Sequence, residues 1–166
     1  MLMQKSPNGW SCLATAFAIG LNIRVEELIR MVGHDGSEII NDLDEPYCRR
    51  SFHPQEISVV CLNHRIAVIP MERNPVSVVP KDGSVYEIQW NPIPELIHNH
   101  DGVIVGTWPN SKSHAAYLYD KIVYDPNGTT YPLDLDRVNI RTFFILRTLH
   151  DDSFTARPAN SSKSGR

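Results

Sequence analysis

Cysteine is scarce in this 166-residue chain: three residues, Cys12, Cys48 and Cys61, at irregular spacing. An odd, unevenly spaced set does not make a disulfide framework. No C-x-x-C pair is present, which argues against a structural zinc site. His98 and His100 are the one close histidine pair. An H-x-H pair faces two directions, so both read as solvated loop residues, and no metal or cofactor is expected. Positive charge is not in excess either, with 16 Lys and Arg against 19 Asp and Glu. A nucleic-acid binder would show a basic face. Aromatics make up only 8%, too few for an obvious platform on which single-stranded bases stack. The longest apolar run, near residues 13–21, is too short to span a bilayer. It also fails as a signal peptide, because Gln4, Asn8 and Trp10 interrupt the approach to it and no A-x-A site follows. The expectation is a cytoplasmic protein, bacterial or made by a virus or phage inside its host, with no membrane and no nucleic-acid partner.

What is present is ordinary globular material. Hydrophobic residues make up 42% and charged residues 21%, enough for one domain with a real core. That domain is expected over residues 1–150. Residues 151–166 hold almost nothing apolar and read as a disordered tail. The Ala-rich stretch Cys12 to Leu21 predicts a helix with Ser11 as its N-cap. Val25 to Val32 predicts a second helix, with Val25, Leu28, Ile29 and Val32 on one face and Gly33 ending it. Pro54 to Asn63 predicts a third, opened by Pro54, with Ile57, Val60 and Cys61 on its core side. Ile66 to Met71 reads as a strand, residues 72–84 as a loop or exposed hairpin, and Pro92 to His98 as a short helix. Val103 to Thr107, Ser113 to Tyr119, Lys121 to Asp125 and Asn139 to Thr148 are strand candidates. Helices therefore precede strands, which argues for an α+β architecture with N-terminal helices packed on one side of a C-terminal antiparallel sheet.

Three residues carry the chemistry. Cys12 stands at a predicted helix start, where unpaired N–H groups and the helix dipole favour an anion. A thiolate there has a lowered pKa and is the reactive form; the competing reading is a small buried hydrophobe. In the strand Ser113 to Tyr119, His114, Ala116 and Leu118 share a face. If Asp120-Lys121 is a two-residue turn, Leu118 pairs with Val123 and Ala116 with Asp125, and His114 becomes the same-face diagonal neighbour of Asp125. Such neighbours lie about 7–8 Å apart between backbones, within side-chain reach. A carboxylate there would fix the imidazole tautomer and support its charged form. One more residue in the turn would put the two on opposite faces. Alone, His114 reads equally as a satisfied strand histidine, and Asp125 as the opening of the turn Asp125-Pro126-Asn127-Gly128. His34-Asp35-Gly36 reads as a turn rather than a site.

These residues carry a resemblance. QKSPNGWSCLATAFAIGL, residues 4 to 21, resembles the Gln and Cys-helix segment of papain-like cysteine peptidases, most closely the C39-like branch of bacteriocin-processing peptidases. SHAAYLYDKIVYDPNGTTYPL, residues 113 to 133, is similar to that branch's His strand and Asp-Pro-x-Gly turn, and Val103 to Gly106 to the strand before it. The order Cys, His, Asp also matches. The resemblance implies a papain-like fold and a cysteine-dependent hydrolase acting on a peptide or isopeptide bond of a peptide or protein substrate through a thioester acyl-enzyme. Cys12 would be the nucleophile, His114 the base and Asp125 the residue that orients it. The Cys12 N–H and the Gln4 side chain would donate to the oxyanion. Apart from the resemblance, Trp10 and Trp108 flank the expected site and read either as lining a substrate groove or as capping the core. The same triad also serves acyl transfer and deamidation, and the fold can persist as a non-catalytic interaction module. Gln4 lies eight residues before Cys12 where the family places it six before, so Asn8 is an alternative donor. Leu13 follows Cys12 where the family commonly has Gly.

Overall fold

The fold is that of a computed structural model, which describes residues 2–37, 51–78, 86–109 and 113–149. Three helices open the chain with the bounds that periodicity and capping residues predict: α1 over Cys12–Leu21, α2 over Val25–Val32 and α3 over Pro54–Asn63. Asn22, at φ 55°, closes α1 in the left-handed conformation that asparagine tolerates, and Gly33, at φ 95°, closes α2. A fourth, short helix, α4, covers Ile93–Asn99.

The strands are β1 (Ile66–Glu72), β2 (Asn74–Val78), β3 (Tyr86–Trp90), β4 (Gly102–Thr107), β5 (Ser113–Tyr119), β6 (Ile122–Asp125), β7 (Thr129–Pro132) and β8 (Asn139–Thr148). Six of them form one sheet in the order β1-β8-β4-β5-β6-β7, with every pair antiparallel. The architecture is α+β. β2 and β3 form a separate two-stranded ladder where a loop or exposed hairpin is expected. Its connection, with the Asp82-Gly83 turn signal, lies outside the described residues, as do Cys48 and the 151–166 tail.

The helices do not all lie on one side of the sheet. α1 is buried along nearly its whole length, as an all-round apolar helix must be. It packs on a face made by Val103, Ala115, Tyr117 and Phe144, with Phe17 tilted against Phe144 at 5.6 Å between ring centres. The opposite face carries Ile104, Ala116, Leu118, Val123 and Phe143, covered by Ile93 and Ile97 of α4. The strands near the middle of the sheet are therefore buried on both faces, and both sides meet at the end of β5 where His114 stands. Gly106, the partner of His114 in the β4–β5 register, sits at a bulge between β4 and β8. A Cβ there would collide with the carbonyl oxygen of Asn139.

Among the described residues no helix is long and apolar enough to cross a membrane.

Candidate active site

The loop before α1 sets the position of Cys12. Asn8 Oδ1 accepts from the Trp10 N–H at 2.9 Å and from the Ser11 hydroxyl at 2.8 Å. Ser11, completely buried, is the residue at the N-cap position, but its hydroxyl makes no cap hydrogen bond to the helix. It turns back into the Asn8 loop instead. The first N–H groups of α1 are thus left without a side-chain acceptor. One of them, the N–H of Leu13, contributes to lowering the Cys12 pKa.

The β5–β6 hairpin brings in the other two residues. Asp120 and Lys121 form its two-residue turn, both with positive φ, 47° and 64°, which matches the twist of the flanking strands. The register is Tyr119 with Ile122, Leu118 with Val123 and Tyr117 with Tyr124. Beyond Tyr117 the two strands part. In the opening the Ala115 N–H favours the Cys12 thiolate, and His114 Nε2 lies 3.0 Å from Asp125 Oδ1. The His114 ring also bonds the Cys12 thiol. With Nε2 on the carboxylate, Nδ1 is the nitrogen left to face the sulfur. The N-terminal segment lies against the turn after β6: Lys5 bridges to Asn127 and the Ser6 N–H donates to the Pro126 carbonyl at 2.8 Å.

The electrostatics follow from these contacts. Burial of Cys12 opposes its ionisation, but the His114 hydrogen bond, the Ala115 N–H, the His114 charge and the Leu13 N–H together outweigh it, and the thiol pKa is lowered. Burial likewise opposes protonation of His114. Hydrogen bonds and charge from Asp125 and Cys12 overcome that and raise the imidazole to about 9. Asp125 is buried, which disfavours its charge. It is nevertheless held below the usual carboxylate range by His114, the Asn127 N–H at 2.8 Å and the Tyr131 hydroxyl at 2.8 Å. These shifts, the thiol down and the imidazole up, move the pair toward thiolate and imidazolium, backed by a carboxylate. The two groups titrate as a unit. Such a pair is a nucleophile with its proton donor alongside. The N–H of Cys12, at the first position of α1, has no intrahelical acceptor to compete for it.

Two aromatic residues extend the network. Trp108 stands edge-on to His114, 5.2 Å between ring centres at 83°, and its Nε1–H donates to the Tyr131 hydroxyl at 2.8 Å. Tyr131 in turn donates to Asp125 Oδ2, so Asp125 is held at both oxygens. Sequence reasoning does not single out Tyr131. The signal was there: Thr129-Thr130-Tyr131 is a β-favouring run directly after an Asn-Gly turn. Once β7 pairs Tyr131 with Val123, Tyr131 shares the face of Asp125.

Gln4 is placed elsewhere. Its Nε2 donates to the Ile23 carbonyl and its Oε1 accepts from the Val25 N–H, both at 2.6 Å. Those groups lie just past the C-terminal end of α1, whereas Cys12 is at the other end, about 15 Å away at 1.5 Å per helical residue. The expectation that Gln4 donates to an oxyanion beside Cys12 is therefore corrected: its amide ties the N-terminal segment to the α1–α2 connection. Asn8 lies closer, and its Nδ2 donates to the Asp35 carbonyl at 3.1 Å. Trp10 is exposed on the loop two residues before Cys12, with its carbonyl accepting from the Ser51 hydroxyl at 3.1 Å. His34-Asp35-Gly36 forms a turn, with Gly36 at φ 76° and its N–H on His34 Nδ1. Among the described residues no cluster of three or more His, Cys, Asp or Glu is arranged to hold a metal. The chain matches no protein-family model, no curated protein and no solved structure.

Proposed function

We propose that this chain is a cysteine-dependent hydrolase of papain-like, C39-like kind, cleaving a peptide or isopeptide bond. One observation carries the reading: Cys12, His114 and Asp125, from a helix and two strands, converge with pKa shifts in the directions a thiolate nucleophile needs, the thiol down and the imidazole up. The Cys12 thiolate attacks the carbonyl carbon, and the Cys12 N–H helps hold the charge that develops on the oxygen. The imidazolium of His114 gives its proton to the departing amine as the C–N bond breaks, leaving a thioester. Neutral His114 then takes a proton from water, whose oxygen attacks the thioester carbon; the C–S bond breaks, the carboxylic acid leaves, and the Cys12 thiolate and His114 imidazolium re-form as the ion pair. Asp125 keeps the imidazole oriented throughout.

The position of Gln4 favours a second reading, a non-catalytic interaction module, because it removes one expected side-chain donor from the oxyanion position. Peptide, isopeptide and primary-amide reporters, each with water or an added amine as acceptor, separate the possibilities. Hydrolysis by wild type that Cys12→Ser and His114→Ala both abolish supports the hydrolase. Transfer to the amine in preference to water identifies an acyltransferase, and release of ammonia a deamidase. Full turnover by either variant rules the triad out, and no turnover of any reporter by wild type moves the reading to the interaction module.

A further inference from the structure

Beside the triad, on the α4 side of the sheet, lies an open cleft of about 480 Å³. Trp108 forms part of its wall, the same indole that stands against His114. Arg73 and Arg137 also line it, and among the described residues the one carboxylate in its lining is Asp136. Arg73 is held in place by donating to Asn139 Oδ1 at 3.2 Å. Among the described residues neither guanidinium forms an ion pair with a carboxylate. Among the described residues the cleft thus carries two cations against one anion, in a chain whose net charge is −3.

We infer that this cleft is a subsite for an acidic side chain of the substrate, an inference that rests on the peptide-hydrolase reading above. The sheet supplies the distance. His114 pairs with Gly106, and Gly106 pairs with Ile140, which lines the cleft. Two strand spacings of about 4.8 Å put Ile140, on the part of the lining away from Trp108, roughly 10 Å from His114. An extended peptide advances about 3.3 Å per residue, so the side chain that reaches the arginines belongs to a residue two or three positions from the scissile bond. A carboxylate fits a guanidinium better than a neutral amide does, because its two oxygens match the two N–H groups of the fork.

Fluorescein-labelled Ala/Gly hexapeptides carrying one Glu or one Gln at each position test this in two ways. With wild type, Glu two or three positions from the cleaved bond should give a kcat/KM roughly fivefold or more above Gln, the size two partly exposed cation contacts supply. The preference should vanish in R73Q/R137Q and shrink at 0.5 M salt (about the screening regime where surface charges lose most of their reach), while the Gln peptides are cleaved as before. Equal rates for Glu and Gln, or a preference that survives in the double variant, overturn the subsite. Binding of the same peptides to Cys12→Ser, followed by anisotropy, needs no turnover. If wild type cleaves nothing but the Cys12→Ser protein binds Glu peptides more tightly than Gln peptides, and loses that preference with the two arginines, the subsite stands and the hydrolase reading falls. Charge-independent binding removes the subsite whatever the turnover.

Discussion

Cys12 and Cys61 are the two free cysteines among the described residues, both on helices and both shielded from solvent to a large degree, yet they are driven in opposite directions. Cys61 sits inside α3 at 0% exposure, with a packed apolar core around it. Burial pushes its thiol up to about 12, and one backbone hydrogen bond does little to offset that. Cys12 suffers the same burial penalty but sits at a helix start, with two N–H groups and an imidazole aimed at its sulfur, and its thiol goes down. The comparison teaches that donors and charge within hydrogen-bonding reach, not the degree of burial, decide whether a thiol is inert or reactive. The helix end that Ser11 leaves uncapped adds a smaller contribution, from the Leu13 N–H.

The comparison can be broken most severely at His114. His114→Ala removes the principal donor and the positive charge, so Cys12 should drift toward Cys61 in behaviour, and turnover of any reporter should fall by at least about a thousandfold. Next comes Asp125→Ala. Without the carboxylate the imidazole pKa falls from about 9 toward its ordinary value, the alkaline limb of the rate profile moves down with it, and kcat should drop roughly a hundredfold. Tyr131→Phe sharpens the picture rather than breaking it. It removes the hydroxyl between Trp108 and Asp125 and leaves the His114–Asp125 bond. The expected loss is up to about tenfold in kcat, what one hydrogen bond to a charged group supplies, with a small downward move of the alkaline limb; an unchanged pH profile would make Tyr131 purely structural. Smallest of all on activity is Cys61→Ala. Its turnover should match wild type, while chemical denaturation should show a loss of about 1 kcal/mol from the vacated core volume.

Much of this arrangement could be read from local sequence. The helix starts and stops came from Pro54, Gly33 and the Ala-rich run after Cys12, signals that act within one turn. The closeness of His114 to Asp125 followed from assuming a two-residue turn at Asp120-Lys121, because a hairpin's register is set by its turn. Four features escape the local sequence signals. Ser11 prefers Asn8 to the helix because of a loop geometry that no capping rule encodes. β7 has its signal in Thr129-Thr130-Tyr131 after the Asn127-Gly128 turn, but its brevity and Pro132 weaken it, and Tyr131 goes unnoticed with it. Gln4 depends on how the N-terminal segment lies along α1, a long-range packing outcome; counting residues back from Cys12 says nothing about which end of the helix the amide reaches. The side of the sheet that α4 takes is likewise decided by which apolar face remains open, and helices preceding strands in the sequence do not specify it.

The central claim is that the neighbours of Cys12, not its burial, make it a thiolate paired with imidazolium. Iodoacetamide alkylation rates resolved by mass spectrometry for Cys12 and Cys61, from pH 4 to 10 in wild type and His114→Ala, test it directly. The ion pair is lost at low pH as the thiolate takes up a proton below the ordinary thiol value of 9, and at high pH as His114 loses its proton near 9. Cys12 should therefore react well below pH 9, with an acid limb that the His114→Ala variant shifts upward, while Cys61 stays unmodified until the protein unfolds. A Cys12 that titrates like an ordinary thiol, or keeps its low-pH reactivity without His114, would contradict the account.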